Sequence, residues 1–322
     1  MADAGPVLKD LGDESESLDA VVARDEVDWS AATPAPGWTI AHQIGHLAWT
    51  DARALIAVRT PEAFPEEILR ALEGGEDFVG IAAAEQARKP PGRLLAEWRD
   101  GRAALLDALA AADPGARFPW YGPPMSVASM ATARLMETWA HGQDVRQALG
   151  LRSAPTARLR HIARLGVRTR DFAYGVHGLT PPSEEFRVEL TAPDGEQWAY
   201  GPPDAPQRVT GPALDFCLVV TQRLAPADSA LRTHGDDAAA WLLLAQAFAG
   251  PRAPAARPAP DAGPRWLQLR LSPADPSSAS ARLRLRATGR AWEITVCTAC
   301  AHGLVTNRPV GGARSKTHRR RR

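Results

Sequence analysis

Apolar residues recur every three to four positions in four long stretches of the first 150 residues, and no other feature limits the fold as strongly. Residues 6–24 space Val7, Leu8, Leu11, Leu18, Val21 and Val22 along one helical face. The loop TPAPGW at 33–38 interrupts, and Thr39 is placed to cap a second helix from Ile40 to about Val58, carrying Ile44, Leu47, Ala48, Leu55 and Ile56. Pro61 and Pro65 end it, and two short helical pieces fill about 66–88. After Pro90-Pro91-Gly92, residues 93–112 repeat Leu94, Leu95, Trp98, Leu105, Leu106 and Leu109. The aromatic, proline-rich crossing FPWYGPPM at 118–125 leads to a fourth helix from about Ser126 to Gly150, with that glycine as its C-cap. Residues 1–150 are therefore expected to form an all-α four-helix bundle.

The period then changes. One more helix is expected over 155–175, after which Phe186, Val188 and Leu190 alternate with polar residues. Asp194-Gly195 gives a hairpin signal before Trp198 and Tyr200, and Val209 marks a short strand. Gly211-Pro212 opens an apolar helix with Leu214, Phe216, Leu218 and Val219, and a last helix covers 236–249. Residues 151–250 thus read as a small α+β domain. The run PRAPAARPAPDAGP that follows cannot bury a core, so 251–322 is expected to be a linker and a mostly disordered tail.

Composition removes several classes of function. With Lys+Arg 38 against Asp+Glu 37 the net charge is +1, which gives no general field toward nucleic acid or an anionic membrane. The acidic N-terminus lacks the basic flank and apolar run of a signal peptide, and no stretch approaches the roughly 20 apolar residues that span a bilayer. Three cysteines are no disulfide framework, and a cytoplasmic location is expected. Cys297-Thr-Ala-Cys300 with His302 is a single CxxC in the tail and reads as coincidence, while Cys217 reads as a core thiol.

The chemistry is concentrated in two i, i+4 pairs. His42-Gln-Ile-Gly-His46 on the second helix sets two imidazoles one turn apart, and Glu137-Thr-Trp-Ala-His141 on the fourth sets a carboxylate beside an imidazole. Bundles build metal sites from such inward pairs on facing helices. Nitrogen and oxygen donors suit Zn²⁺, Ni²⁺ or Fe²⁺ better than Ca²⁺ or Mg²⁺. Spacing alone leaves His42 and His46 equal.

The stretch Thr33-Pro-Ala-Pro-Gly37-Trp38-Thr39-Ile40, followed by His46-Leu47-Ala48, resembles the start of the second helix in the DinB-like superfamily. More closely it resembles the metal-binding domain of mycothiol-dependent maleylpyruvate isomerases, and Glu137-x-x-x-His141 with Asp144-Val145 resembles that family's second ligand motif. The resemblance spans about residues 5–150. It implies a DinB-like bundle, a metal triad of His46, Glu137 and His141 that usually holds zinc, and mycothiol as cosubstrate. His42, outside that triad, stands as a neighbouring contact or an alternative ligand. Asp51 and Asp144 stand as supporting partners, each also readable as a solvated helix charge.

Thr210-Gly211-Pro212-Ala213 before an apolar helix ending in Gln222-Arg223 resembles the small sterol-carrier-like domain of the same isomerases. There Arg223 would face the site and bind a substrate carboxylate, or else stand as a surface arginine favoured by the dipole at a helix C-terminus. That region also resembles a wyosine-base-formation module. Three functions follow as expectations: a thiol-dependent isomerase or S-transferase acting on a small electrophilic acid, a non-catalytic metal-binding carrier of small ligands, and an accessory of tRNA wyosine-type modification. The last is disfavoured because no basic, aromatic-interleaved patch is present. The expected partners are a small-molecule substrate and a thiol, with no membrane.

Overall fold

The computed structural model describes residues 3–248 and, beyond them, the backbone of four short strands within 270–310. Four long helices make the bundle: α1 (Gly5–Val22), α2 (Ile40–Arg59), α5 (Pro91–Ala111) and α6 (Val127–Ala148). Between the second and third of these lie α3 (Phe64–Glu73) and α4 (Phe78–Ala87). Helix α2 packs on α5 and α6, and α1 packs on the other sides of the same two, closing a ring. Leu18, Val22, Ile40, Ile44, Leu47, Leu94, Trp98 and Val145 fill its interior.

Local chemistry sets the helix ends. Ser126 Oγ accepts the Ser129 N–H at 3.2 Å at the start of α6. At its end the Leu151 N–H returns to the Arg146 carbonyl at 2.8 Å, with Gly150 left-handed at φ 67°. Pro91 starts α5, where its missing N–H costs nothing. The crossing between α5 and α6 contains a two-residue antiparallel pair, β1 (Arg117–Phe118) and β2 (Met125–Ser126), which residue periodicity does not reveal.

The expected helix at 155–175 is divided into α7 (Leu159–Arg168) and α8 (Arg170–Val176), because Thr169 turns its hydroxyl onto the Leu165 and Gly166 carbonyls, both at 3.1 Å. A four-stranded sheet follows from β3 (Phe186–Thr191), β4 (Gln197–Tyr200), β5 (Gln207–Pro212) and β6 (Arg232–His234), in the order β4-β3-β5-β6. The β3–β4 hairpin turns at Gly195, as Asp194-Gly195 suggests. Strand β5 is longer than Val209 alone indicated and pairs in parallel with β3. Helix α9 (Ala213–Val220) then crosses to α7, and α10 (Asp236–Leu244) closes the segment. The fold is thus a helical bundle followed by a small α+β part. The expected tail at 251–322 lies outside the described residues, apart from an antiparallel backbone of β7 (Arg270–Leu271), β8 (Ser280–Ala287), β9 (Arg290–Cys297) and β10 (Thr306–Val310).

One buried ion pair ties the bundle together. Arg134 on α6 donates to Asp51 on α2 at 2.8 Å and to the Thr50 hydroxyl at 2.6 Å, while Trp98 Nε1 on α5 donates to the other Asp51 oxygen at 3.3 Å. The two charged side chains are 3% and 5% exposed, so neither has water to fall back on. Removing one partner strands the other. Asp51→Ala is expected to cost about 3–5 kcal/mol in urea unfolding, and adding Arg134→Met to it should restore most of that loss.

Candidate metal centre

Helices α2 and α6 face each other with His46, Glu137 and His141 converging between them. One ligand-type atom from each lies within 4.8 Å of the other two, the group of this kind found among the described residues. Glu137 Oε2 is 3.1 Å from Nε2 of His46 and 3.1 Å from Nε2 of His141. Burial first, and then the nearby His46, push His141 down to about 4, with Glu137 pulling the other way. At neutral pH His141 therefore carries one ring proton.

A side chain that sequence spacing did not single out decides which nitrogen holds it. Gln43, fully buried on α2, places Oε1 2.5 Å from Nδ1 of His141. The Gln43 amide nitrogen donates to Thr33 Oγ1 at 2.8 Å, and Thr33 Oγ1 donates to the Trp38 carbonyl at 2.8 Å. The direction of that chain makes Gln43 Oε1 an acceptor toward His141, so the proton sits on Nδ1. Nε2 is left with a bare lone pair facing a carboxylate. Nδ1 of His46 is buried without a hydrogen-bond partner.

The loop before α2 shapes the cover of the site. Ala35-Pro36-Gly37-Trp38 is a turn closed by Trp38 N–H to the Ala35 carbonyl at 3.0 Å, with Pro36 fixing its first corner and Gly37 left-handed at φ 77°. This lays the Trp38 ring nearly parallel to His141, centroids 5.9 Å apart, and 5.5 Å from His46. Trp38 is thus half-buried over the two imidazole rings.

His42 Nδ1 accepts the Thr39 N–H at 3.3 Å and lies 2.8 Å from its hydroxyl, so it caps α2 and stands outside the cluster. Asp51 belongs to the Arg134 pair one turn deeper in the bundle. Asp144 Oδ2 sits 3.9 Å from Nδ1 of His141 and accepts from Nη2 of Arg223 at 2.8 Å. Arg223 reaches it because Gln222, at φ 60°, ends α9 in the left-handed region and the Arg223 N–H returns to the Leu218 carbonyl at 2.7 Å. Its Nη1 is anchored on the Thr221 carbonyl at 2.6 Å. Cys217 is buried in α9, with its thiol pushed up by burial, and takes no part.

Residues 11–146 match the family described as the mycothiol maleylpyruvate isomerase N-terminal domain, and residues 182–234 match one described as wyosine base formation. Uncharacterized proteins from two strains of Mycobacterium tuberculosis are each 56% identical over 252 residues, covering 78% of this chain and 98% of the relative. Crystal structures of the mycothiol-dependent maleylpyruvate isomerase and of a histidine-to-alanine mutant of it align over 72% of this chain and 93% of theirs, with TM-score 0.49 and 16% and 15% identity. Nearly the full length of both mycobacterial proteins is matched, and the chain belongs to one family with them, its residues 11–146 matching the mycothiol maleylpyruvate isomerase N-terminal domain.

Proposed function

We propose that this chain is a zinc-dependent enzyme that uses mycothiol to isomerise or S-conjugate a small electrophilic acid in the cytoplasm. In this reading residues 1–150 supply the metal ligands and residues 151–250 supply Arg223. The observation that carries it is the unbalanced contact between Nε2 of His141 and Glu137 Oε2. With the His141 proton committed to Gln43, two lone pairs face each other at 3.1 Å, a repulsion that a bound divalent cation would relieve. Two imidazoles and one carboxylate are a donor set suited to zinc, and three protein ligands leave a position for an exogenous group. His46, Glu137 and His141 would hold the ion.

A zinc ion held there would supply the electrostatic stabilisation that keeps a thiol as thiolate, its nucleophilic form at neutral pH. The chain's own residues do the rest. Gln43 keeps the His141 proton on Nδ1 and the ring in place. Trp38 covers one side of the imidazoles and excludes water from it. Arg223, oriented by Asp144 and the Thr221 carbonyl, keeps further N–H donors with which to receive a substrate carboxylate. No helix among the described residues is long and apolar enough to cross a membrane, which fits a small-molecule substrate met in solution.

Elemental analysis of the purified protein should find about one zinc per chain. His46→Ala and His141→Ala should each abolish both metal content and mycothiol-dependent turnover; a metal-free variant that keeps full turnover overturns the assignment. Gln43→Leu should leave helix content unchanged by circular dichroism yet weaken zinc about 10–100-fold in chelator competition, because the tautomer and the ring orientation are no longer fixed. Arg223→Ala should raise KM for the acid about tenfold with metal content intact.

A further inference from the structure

Helix α6 also serves a second cavity, on its other side. Trp139 and Arg146 lie about half a turn around the helix from Glu137, and they border a cavity of about 290 Å³ with Glu14, Ser17, Arg152 and Arg158. None of the three candidate metal ligands lines it. We infer that this cavity, between α1, α6 and the segment 152–158, is a binding site for a small oxyanion, a carboxylate or a phosphate. The inference is independent of the proposed enzymatic function.

Three guanidinium groups border the cavity against one carboxylate. Arg158 Nε donates to Glu14 Oε2 at 2.8 Å, which neutralises one of the three. Arg152 is exposed at the mouth. Arg146 is 6% exposed, and its Nη2 donates to Ser17 Oγ at 2.9 Å while Nη1 is buried with no hydrogen-bond partner. A buried guanidinium with an orphaned donor, a neutral hydroxyl as its hydrogen-bond partner and a Glu14 charge that it shares with Arg158 is an expensive arrangement. An oxyanion supplies the missing charge and acceptors together, in the fork geometry that arginine favours. Trp139 offers an apolar wall for whatever carbon the anion bears.

The chain also makes room for this side chain. A Cβ at Gly142, one turn before Arg146, would stand 2.7 Å from Nη1. Gly142→Ala therefore displaces the guanidinium without removing its charge, and the flexible side chain absorbs the clash without unfolding α6. Arg152→Gln removes a charge at the mouth without touching the core.

The test is calorimetry on the metal-loaded full chain at fixed ionic strength, with inorganic phosphate in one arm and succinate in the other, to tell the two oxyanions apart. Saturable binding of at least one probe is expected, weakened about tenfold by Arg152→Gln and by Gly142→Ala and unchanged in His46→Ala. The assignment is overturned if neither probe binds saturably, or if binding survives both substitutions. It is equally overturned if His46→Ala abolishes binding, since the anion would then be sitting at the metal centre.

Discussion

Burying charge inside a helical bundle is costly unless each group finds a partner, and α6 carries a ladder of such groups on one face. Arg134, Glu137, His141 and Asp144 follow one another at intervals of three or four residues. Each rung is met from outside the helix: Arg134 by Asp51, Glu137 by His46, His141 by Gln43 and Asp144 by Arg223. Three of those partners come from α2 and the fourth from the segment after α9. The pairing of α2 with α6 is thus fixed in register by polar contacts as well as by the apolar core, because a slip of one turn would leave several buried charges unmet at once.

The ladder also explains why α6 looks less amphipathic than the other long helices. Its reverse face is not a plain apolar stripe either, since Arg146 and Trp139 turn toward α1 and the segment 152–158. A helix that serves polar clusters on two sides is stabilised by tertiary contacts more than by its own pattern. Its capping at Ser126 and its left-handed stop at Gly150 supply the local part.

How much of this was legible follows from the range of each interaction. The i, i+4 pairs were visible because a helix converts sequence spacing into direction, and the caps at Thr39, Ser126 and Gly150 are local chemistry. The equality of His42 and His46 could not be broken by spacing; it is broken in the structure because His42 is absorbed by the Thr39 cap. Gln43 has no signal in the sequence, since a glutamine inside a helix has no periodic signature and its meaning comes from His141, 98 residues away. Arg134 was hidden for the same reason, its carboxylate partner lying 83 residues earlier. Strand β5 is legible in sequence only around Val209, because it lies beside β3 in parallel and carries Gly211 and Pro212 at its end, which local rules assign to a break.

The junction between bundle and sheet is where geometry and chemistry depend on each other most directly. Arg223 belongs to the C-terminal part, yet its guanidinium is fixed by Asp144 on α6, and Asp144 stands within 3.9 Å of a ring nitrogen of His141. The backbone device behind this is small: Gln222, the one non-glycine residue at positive φ among those described, turns the chain so that Arg223 points back toward the bundle. A left-handed glutamine is disfavoured relative to glycine there, and it persists because the returning Arg223 N–H and the Asp144 contact pay for it. Any movement of α9 against α6 would shift the arginine and alter the carboxylate beside His141 in the same step. In the proposed function, a site divided between two parts of the chain in this way would tie recognition of an anion to the electrostatics of the metal ligands, without a separate linking element.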